Sequence, residues 1–176
     1  MSNHLRPVFS SIQISKRIAT IGAIISERYQ SKELVFIGVL KGGFIFLADL
    51  VRTVSTDCEI DFIQVGSYVG NKSSGRIDLI SDVRIDLRKK DVIIVEDIID
   101  SGATINFIYE KIINLSPSSL EVATLLYKKD IAKLEFNIEF IGFEISDEFV
   151  VGYGLDYNQK MRNLNAIYNL KYSAQH

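Results

Sequence analysis

Residues 92–104 read VIIVEDIIDSGAT. Four apolar, mostly β-branched residues open the stretch, the pattern of a parallel strand covered on both faces. The run predicts a strand over 91–95 and a polar turn over 96–102. A helix is expected from about Ala103, because Ile105, Ile108, Tyr109 and Ile112 share one helical face. At the junction stand three acids, Glu96, Asp97 and Asp100, followed by Ser101, Gly102 and Thr104. A helix N-terminus presents unpaired N–H groups and the positive end of the helix dipole, so it attracts anions. The hydroxyls of Ser101 and Thr104 add donors. Capping the helix would need only one such side chain. Carboxylates beside an anion cradle repel a phosphate unless something else engages them, and sugar hydroxyls or a divalent cation can do so. The stretch therefore points to a sugar phosphate. It is not a P-loop, because no Gly-x-x-x-x-Gly-Lys-Ser/Thr run is present.

Working outward, residues 34–39 (LVFIGV) form a second buried-strand pattern, followed by Lys41, Gly42 and Gly43 and a helical stretch over 44–52. Glycines let a backbone approach a ligand closely, and a lysine offers a point charge to an anion. Ile14, Ile18, Ile21 and Ile25 recur at helical spacing. Further strands are expected over 59–65, 76–80, 121–127 and 138–144. Residues 66–75 (GSYVGNKSSG) hold three glycines and three serines, and predict a mobile loop. Strands alternating with helices give an α/β fold with a mainly parallel sheet. Ligands of such sheets sit beyond the carboxyl ends of the strands, where both glycine-bearing turns fall.

The 176 residues suit one domain with a core large enough to stand without disulfides. Cys58 is the only cysteine, and the two histidines, His4 and His176, lie near the chain ends, so neither a Cys/His zinc site nor a Ser-His-Asp triad is expected. Twenty basic against 22 acidic residues leave a formal charge of −2, which does not suggest a nucleic-acid binder. No signal peptide or membrane span is apparent, so a cytoplasmic protein is expected.

The 92–104 stretch closely resembles the 5-phosphoribosyl 1-diphosphate (PRPP) signature of type I phosphoribosyltransferases. The rest of the chain is similar to the hypoxanthine-guanine phosphoribosyltransferase family: LKGG at 40–43, GSY at 66–68, Lys128 in LLYKKD, and FVVGYGLDYNQKMR at 149–162. The resemblance implies a mainly parallel sheet flanked by helices, with a core over about 30–147 and a small hood subdomain from about 1–15 and 148–176. It implies purine salvage: hypoxanthine or guanine plus PRPP giving IMP or GMP plus diphosphate. It assigns the proton of purine N7 to Asp100 and the 5′-phosphate to Asp100, Ser101, Gly102, Ala103 and Thr104. Glu96 and Asp97 would take the ribose hydroxyls, and Lys41, Gly42 and Arg162 the pyrophosphate. Ser67 and Tyr68 belong to a closing loop. Lys128, Phe149, Val150 and Asp156 would form the base site. Mg²⁺ is the implied cofactor, near Glu96, Asp97 and Asp156. The family also implies a non-proline cis peptide between Leu40 and Lys41, and a homodimer or homotetramer.

An ammonium is donor-only. Lys128 therefore suits a 6-oxo group and opposes the 6-amino group of adenine. A xanthine-preferring enzyme remains an alternative, as does a PRPP-sensing RNA-binding regulator on the same fold. The charge of −2 and the 149–157 segment disfavour the regulator. Ala103 and Glu148 stand where some relatives carry lysine.

Overall fold

The computed structural model describes residues 4–67 and 77–171. Tyr68 and most of the 66–75 loop thus lie outside the described residues. The elements are β1 (His4–Phe9), α1 (Ser11–Arg28), β2 (Leu34–Leu40), α2 (Phe44–Val51), β3 (Cys58–Ser67), β4 (Ile77–Ser81), β5 (Asp91–Ile99), α3 (Ala103–Ile113), β6 (Ser119–Tyr127), β7 (Phe140–Glu144), β8 (Val150–Val151) and β9 (Ile167–Lys171).

The main sheet has the order β4-β3-β2-β5-β6-β7. It is parallel except for β4, which runs antiparallel to β3. The strands β2 and β5 are continuously apolar because both faces are covered. Phe36, Ile93 and Val95 pack on one side with Ile14, Ile18, Ile21 and Ile25 of α1 and Phe46 and Leu50 of α2. Val35, Ile37, Val92 and Ile94 pack on the other with Ile105, Ile108 and Ile112 of α3. The start of α1 is fixed by a capping box: Ser10 accepts from the Gln13 amide while the Gln13 side chain accepts from the Ser10 amide.

One expectation fails here. The stretch 96–102 does not begin as a turn, because β5 continues to Ile99. Glu96 pairs with Thr124, and Ile98 and Ile99 pair with Leu126 and Tyr127 of β6. The acids therefore sit inside the sheet's carboxyl edge.

The chain ends build a second, three-stranded sheet, β1-β9-β8, with Leu5 opposite Leu170 and Val150 opposite Asn169. Phe9 stacks on Phe143 of the main sheet at 4.0 Å between ring centres. The Tyr153 hydroxyl donates to Asp49 of α2. The loop that follows β8 brings Asp156, Gln159 and Arg162 to the carboxyl ends of β2 and β5.

Candidate active site

The carboxyl ends of β2, β3 and β5 enclose a cleft of about 500 Å³. Lys41, Gly42, Glu96, Asp97, Thr104, Asp156 and Arg162 all line it. A smaller hollow of about 80 Å³ adjoins it at the start of α3, lined by Asp100, Ser101, Gly102 and again Glu96 and Thr104. Most residues singled out in the sequence therefore meet in one place.

The two strand-end turns interlock. The Leu40–Lys41 peptide is cis. Gly42 lies so close to Asp97 that a Cβ would fall 1.8 Å from its Oδ2. Gly154, at φ +101°, faces the Gly42 carbonyl, where a Cβ would come within 2.3 Å. The turn after β2 is therefore sandwiched between β5 and the loop after β8, with no room for side chains.

The start of α3 is an open helix terminus. Its cap residue, Gly102, takes φ +89° and has no side chain to cap the helix. The Ser101 hydroxyl lies 3.4 Å from the Ala103 amide. Ser101 thus takes up one first-turn amide, while among the described residues no bond of this kind engages Glu96, Asp97 or Asp100, and the small hollow lies at this helix end.

Glu96 and Asp97 are both 7% exposed. Burial, then the neighbouring Asp97 charge, pushes the Glu96 carboxyl well above its ordinary range. Burial also raises Asp97, against hydrogen bonds and the more distant positive charge of Arg162. Asp97 Oδ1 accepts from the Ile98 amide at 2.9 Å. The two form a buried acidic pair, and among the described residues no cation is in salt-bridge contact with either.

Across the cleft, Arg162 pairs with Asp156 at 2.6 Å and donates to the Gly154 carbonyl at 2.6 Å. Asp156 also accepts from the Gln159 amide at 2.8 Å. Among the described residues no three His, Cys, Asp or Glu side chains converge as a metal cage. Mg²⁺ commonly takes only one or two carboxylates and completes its shell with water and substrate phosphate. The carboxylates of this cleft fit an ion bound in that way.

Lys128 lies outside both hollows at the end of β6. It is 6% exposed, and its Nζ donates to Asp100 at 3.1 Å and Asp147 at 3.0 Å. Burial alone would lower its pKa, but the hydrogen bonds and charges of Asp147 and Asp100 raise it on balance. Phe149 is half exposed, with its ring edge-on to Tyr157 at 6.1 Å, and Val150 is buried in β8. Ser67 ends β3 opposite Ile77. Glu148 turns away to Asn169, whose Nδ2 donates to it at 2.7 Å.

Gln64, Gln159 and Asp147 were not foreseen. The glutamines line the cleft, and Asp147 reaches Lys128. Gln64 lies on a strand of mixed polarity and Gln159 in a polar loop, and neither carries a sequence signal. Asp147-Glu148 reads as an ordinary solvated acid pair until the fold brings it to a buried lysine.

The family model described as a phosphoribosyl transferase domain matches residues 10–158. The chain belongs to the phosphoribosyl transferase family. It is 42% identical over 167 residues to a protein of Salmonella typhimurium named hypoxanthine phosphoribosyltransferase, covering 93% of this chain and 94% of that one. It is 40% identical over 166 residues to the hypoxanthine-guanine phosphoribosyltransferase of Aquifex aeolicus, covering 93% of each. The crystal structure of a Staphylococcus aureus hypoxanthine phosphoribosyltransferase superposes with a TM-score of 0.90 at 39% identity, covering 96% of this chain and 94% of that one. This phosphoribosyltransferase is accordingly a transferase enzyme, and its mainly parallel sheet with flanking helices is the fold of its structural neighbours. Among the described residues no helix is long and apolar enough to cross a membrane.

Proposed function

We propose that this phosphoribosyltransferase salvages 6-oxopurines, joining hypoxanthine or guanine to PRPP to form IMP or GMP and pyrophosphate. The observation that carries the specificity is the Lys128 ammonium, buried and fixed on Asp100, which lines the small hollow at the start of α3. A donor-only group there matches a 6-oxo acceptor and leaves the 6-amino group of adenine facing another donor. The names of the relatives agree with this choice.

The reaction moves one bond. N9 of the base attacks C1 of the ribosyl group, the C1–O bond to pyrophosphate breaks, and its electron pair leaves with the pyrophosphate. Positive charge develops on the sugar ring. The open start of α3, with Ser101, Gly102, Ala103 and Thr104, holds the 5′-phosphate. Glu96 and Asp97 accept hydrogen bonds from the ribose hydroxyls and lie near the developing charge. The turn at Lys41 and Gly42, with Arg162, binds the leaving pyrophosphate. Asp100 receives the proton that the base gives up at N7. Phe149 stacks on the base, and β8 lies at an edge of its sheet, so Val150 can offer backbone groups to the base. Asp156, Glu96 and Asp97 would hold Mg²⁺, which when bound supplies charge to stabilise the pyrophosphate.

The test is a set of steady-state rates with hypoxanthine, guanine, xanthine and adenine at fixed PRPP and Mg²⁺. Turnover of hypoxanthine or guanine with none of adenine is expected. A preference for adenine would overturn the reading of Lys128. Turnover of xanthine alone would leave the transferase chemistry standing and replace the substrate.

A further inference from the structure

A buried lysine is stable as a cation only with partners that replace its lost water. Lys128 has two. Asp100 belongs to the turn that enters α3, whereas Asp147 lies two residues before Phe149, in the segment that enters the small sheet. The main-chain amide of Lys128 donates to the Ile99 carbonyl at 3.0 Å, and Ile145 donates to the Tyr127 carbonyl at 2.9 Å. The two segments thus flank the end of β6 on either side, and Lys128 bridges them with one side-chain bond to each.

We propose that Asp147 is a positioning residue for base recognition: it holds the Lys128 ammonium and the Phe149 segment in register, so that the remaining Lys128 N–H points at the 6-oxo group of the purine. The ammonium has three N–H donors. Asp100 and Asp147 engage two at 3.1 and 3.0 Å, and the third is left for a ligand. Without Asp147, Asp100 is the one carboxylate left on Lys128 among the described residues. The ammonium then swings toward the phosphate turn and away from the base. Asp147 itself is largely exposed, with a side-chain exposure of 76%, so its removal opens no core cavity and leaves the fold intact.

This inference rests on the 6-oxopurine reading above, and the test separates the two. Binding of IMP, and of the analogue purine riboside 5′-monophosphate, which lacks the 6-oxo group, is measured calorimetrically to the whole protein and to Asp147→Ala, Asp147→Asn and Asp147→Glu. Loss of one charge-assisted bond corresponds to a drop of about tenfold or more in affinity. IMP affinity should fall by that factor in Asp147→Ala, while the 6-unsubstituted analogue binds nearly as before. Asp147→Asn, which keeps an acceptor without the charge, should fall between, and Asp147→Glu should recover most of the loss. In steady state the KM for hypoxanthine should rise more than kcat falls, with PRPP affinity unchanged. An equal loss for both nucleotides would make Asp147 a merely structural residue, and no loss for either would make it irrelevant; both overturn the proposal. Failure of the 6-oxopurine reading looks different: the unaltered protein would then bind IMP no better than the analogue.

Discussion

Two buried charge clusters stand about the active cleft, and they are built in opposite ways. At the end of β5, Glu96 and Asp97 are nearly inaccessible and press on each other with like charge. At the end of β6, Lys128 is equally buried but carries a carboxylate on each side. The first cluster is electrostatically incomplete and the second is complete. An incomplete cluster is tolerated where a ligand brings the missing partners, which in the proposed function are sugar hydroxyls and a cation. A complete one is preorganised, and it suits a group that must already be aimed when substrate arrives. Under the function proposed above, the site divides into a part that PRPP finishes and a part that is ready for the base.

The strongest way to break this division is to withhold the cation. In excess EDTA the rate of IMP formation should fall to background and return on adding Mg²⁺ or Mn²⁺. Full activity without metal would mean that the Glu96–Asp97 half needs no completing charge, and the contrast between the clusters would lose its meaning.

Next in size is Asp100→Asn. Asparagine still offers an oxygen to Lys128 but cannot take a proton from the base. Positioned proton transfer typically contributes ~10²–10⁴-fold, so kcat should fall by that range while calorimetric PRPP affinity is kept. An unchanged kcat would remove Asp100 from the chemistry and leave it as a structural partner of Lys128.

The two halves are joined mechanically at Gly154, which packs on the turn after β2. Gly154→Ala combines φ +101° with a Cβ placed 2.3 Å from the Gly42 carbonyl. The expected destabilisation exceeds about 1 kcal/mol, which lowers Tm by about 2–4 °C per kcal/mol in a chain of this size. Gly66→Ala serves as the control, since among the described residues its added methyl meets the side chain of the exposed Ile80, at 3.0 Å from its tip. Equal melting of the two variants would show that the loop after β8 does not bear on the pyrophosphate turn.

The same contrast explains what was legible in the sequence. The strands β2, β5 and β6 and the helix α1 follow from apolar periodicity, because each buries the side that the pattern shows. The acids of 96–100 announce the site, but the place of Glu96 and Asp97 in a strand is not announced, since unpaired carboxylates are normally expelled to turns. Only a ligand-binding edge keeps them in the ladder. The terminal sheet is hidden for another reason. The strand β1 contains Pro7 and lies at a sheet edge, where proline is tolerated. Its partner, β9, is more than 150 residues away along the chain, and no local pattern encodes that pairing. Asp147 is invisible for the same reason, because its meaning depends on a lysine from another strand.

The smallest expected effect sharpens the comparison most, because it reads the incomplete cluster without substrate. Burial and the Asp97 charge raise Glu96 above its usual 4.5, and the two carboxyls titrate as a pair. In the unfolded chain both ionise near their ordinary values. Above about pH 4.5 the native state therefore still holds a proton that the unfolded state has released. Stability from this source is fully present at acid pH and is lost as pH rises through the native titration. Glu96→Gln removes the like-charge pair. Its Tm should decline less between pH 5 and 8 than that of the unaltered protein, and at pH 8 it should melt higher, by about 2–4 °C for each kcal/mol of repulsion relieved. The Lys128 cluster predicts the reverse for its own disruption: Asp147→Asn should not raise Tm at pH 8, because it takes an anion from a buried cation instead of from another anion. If Glu96→Gln and the unaltered protein show parallel Tm profiles, the pair is already neutralised within the protein, and the PRPP half of the cleft is as complete as the base half.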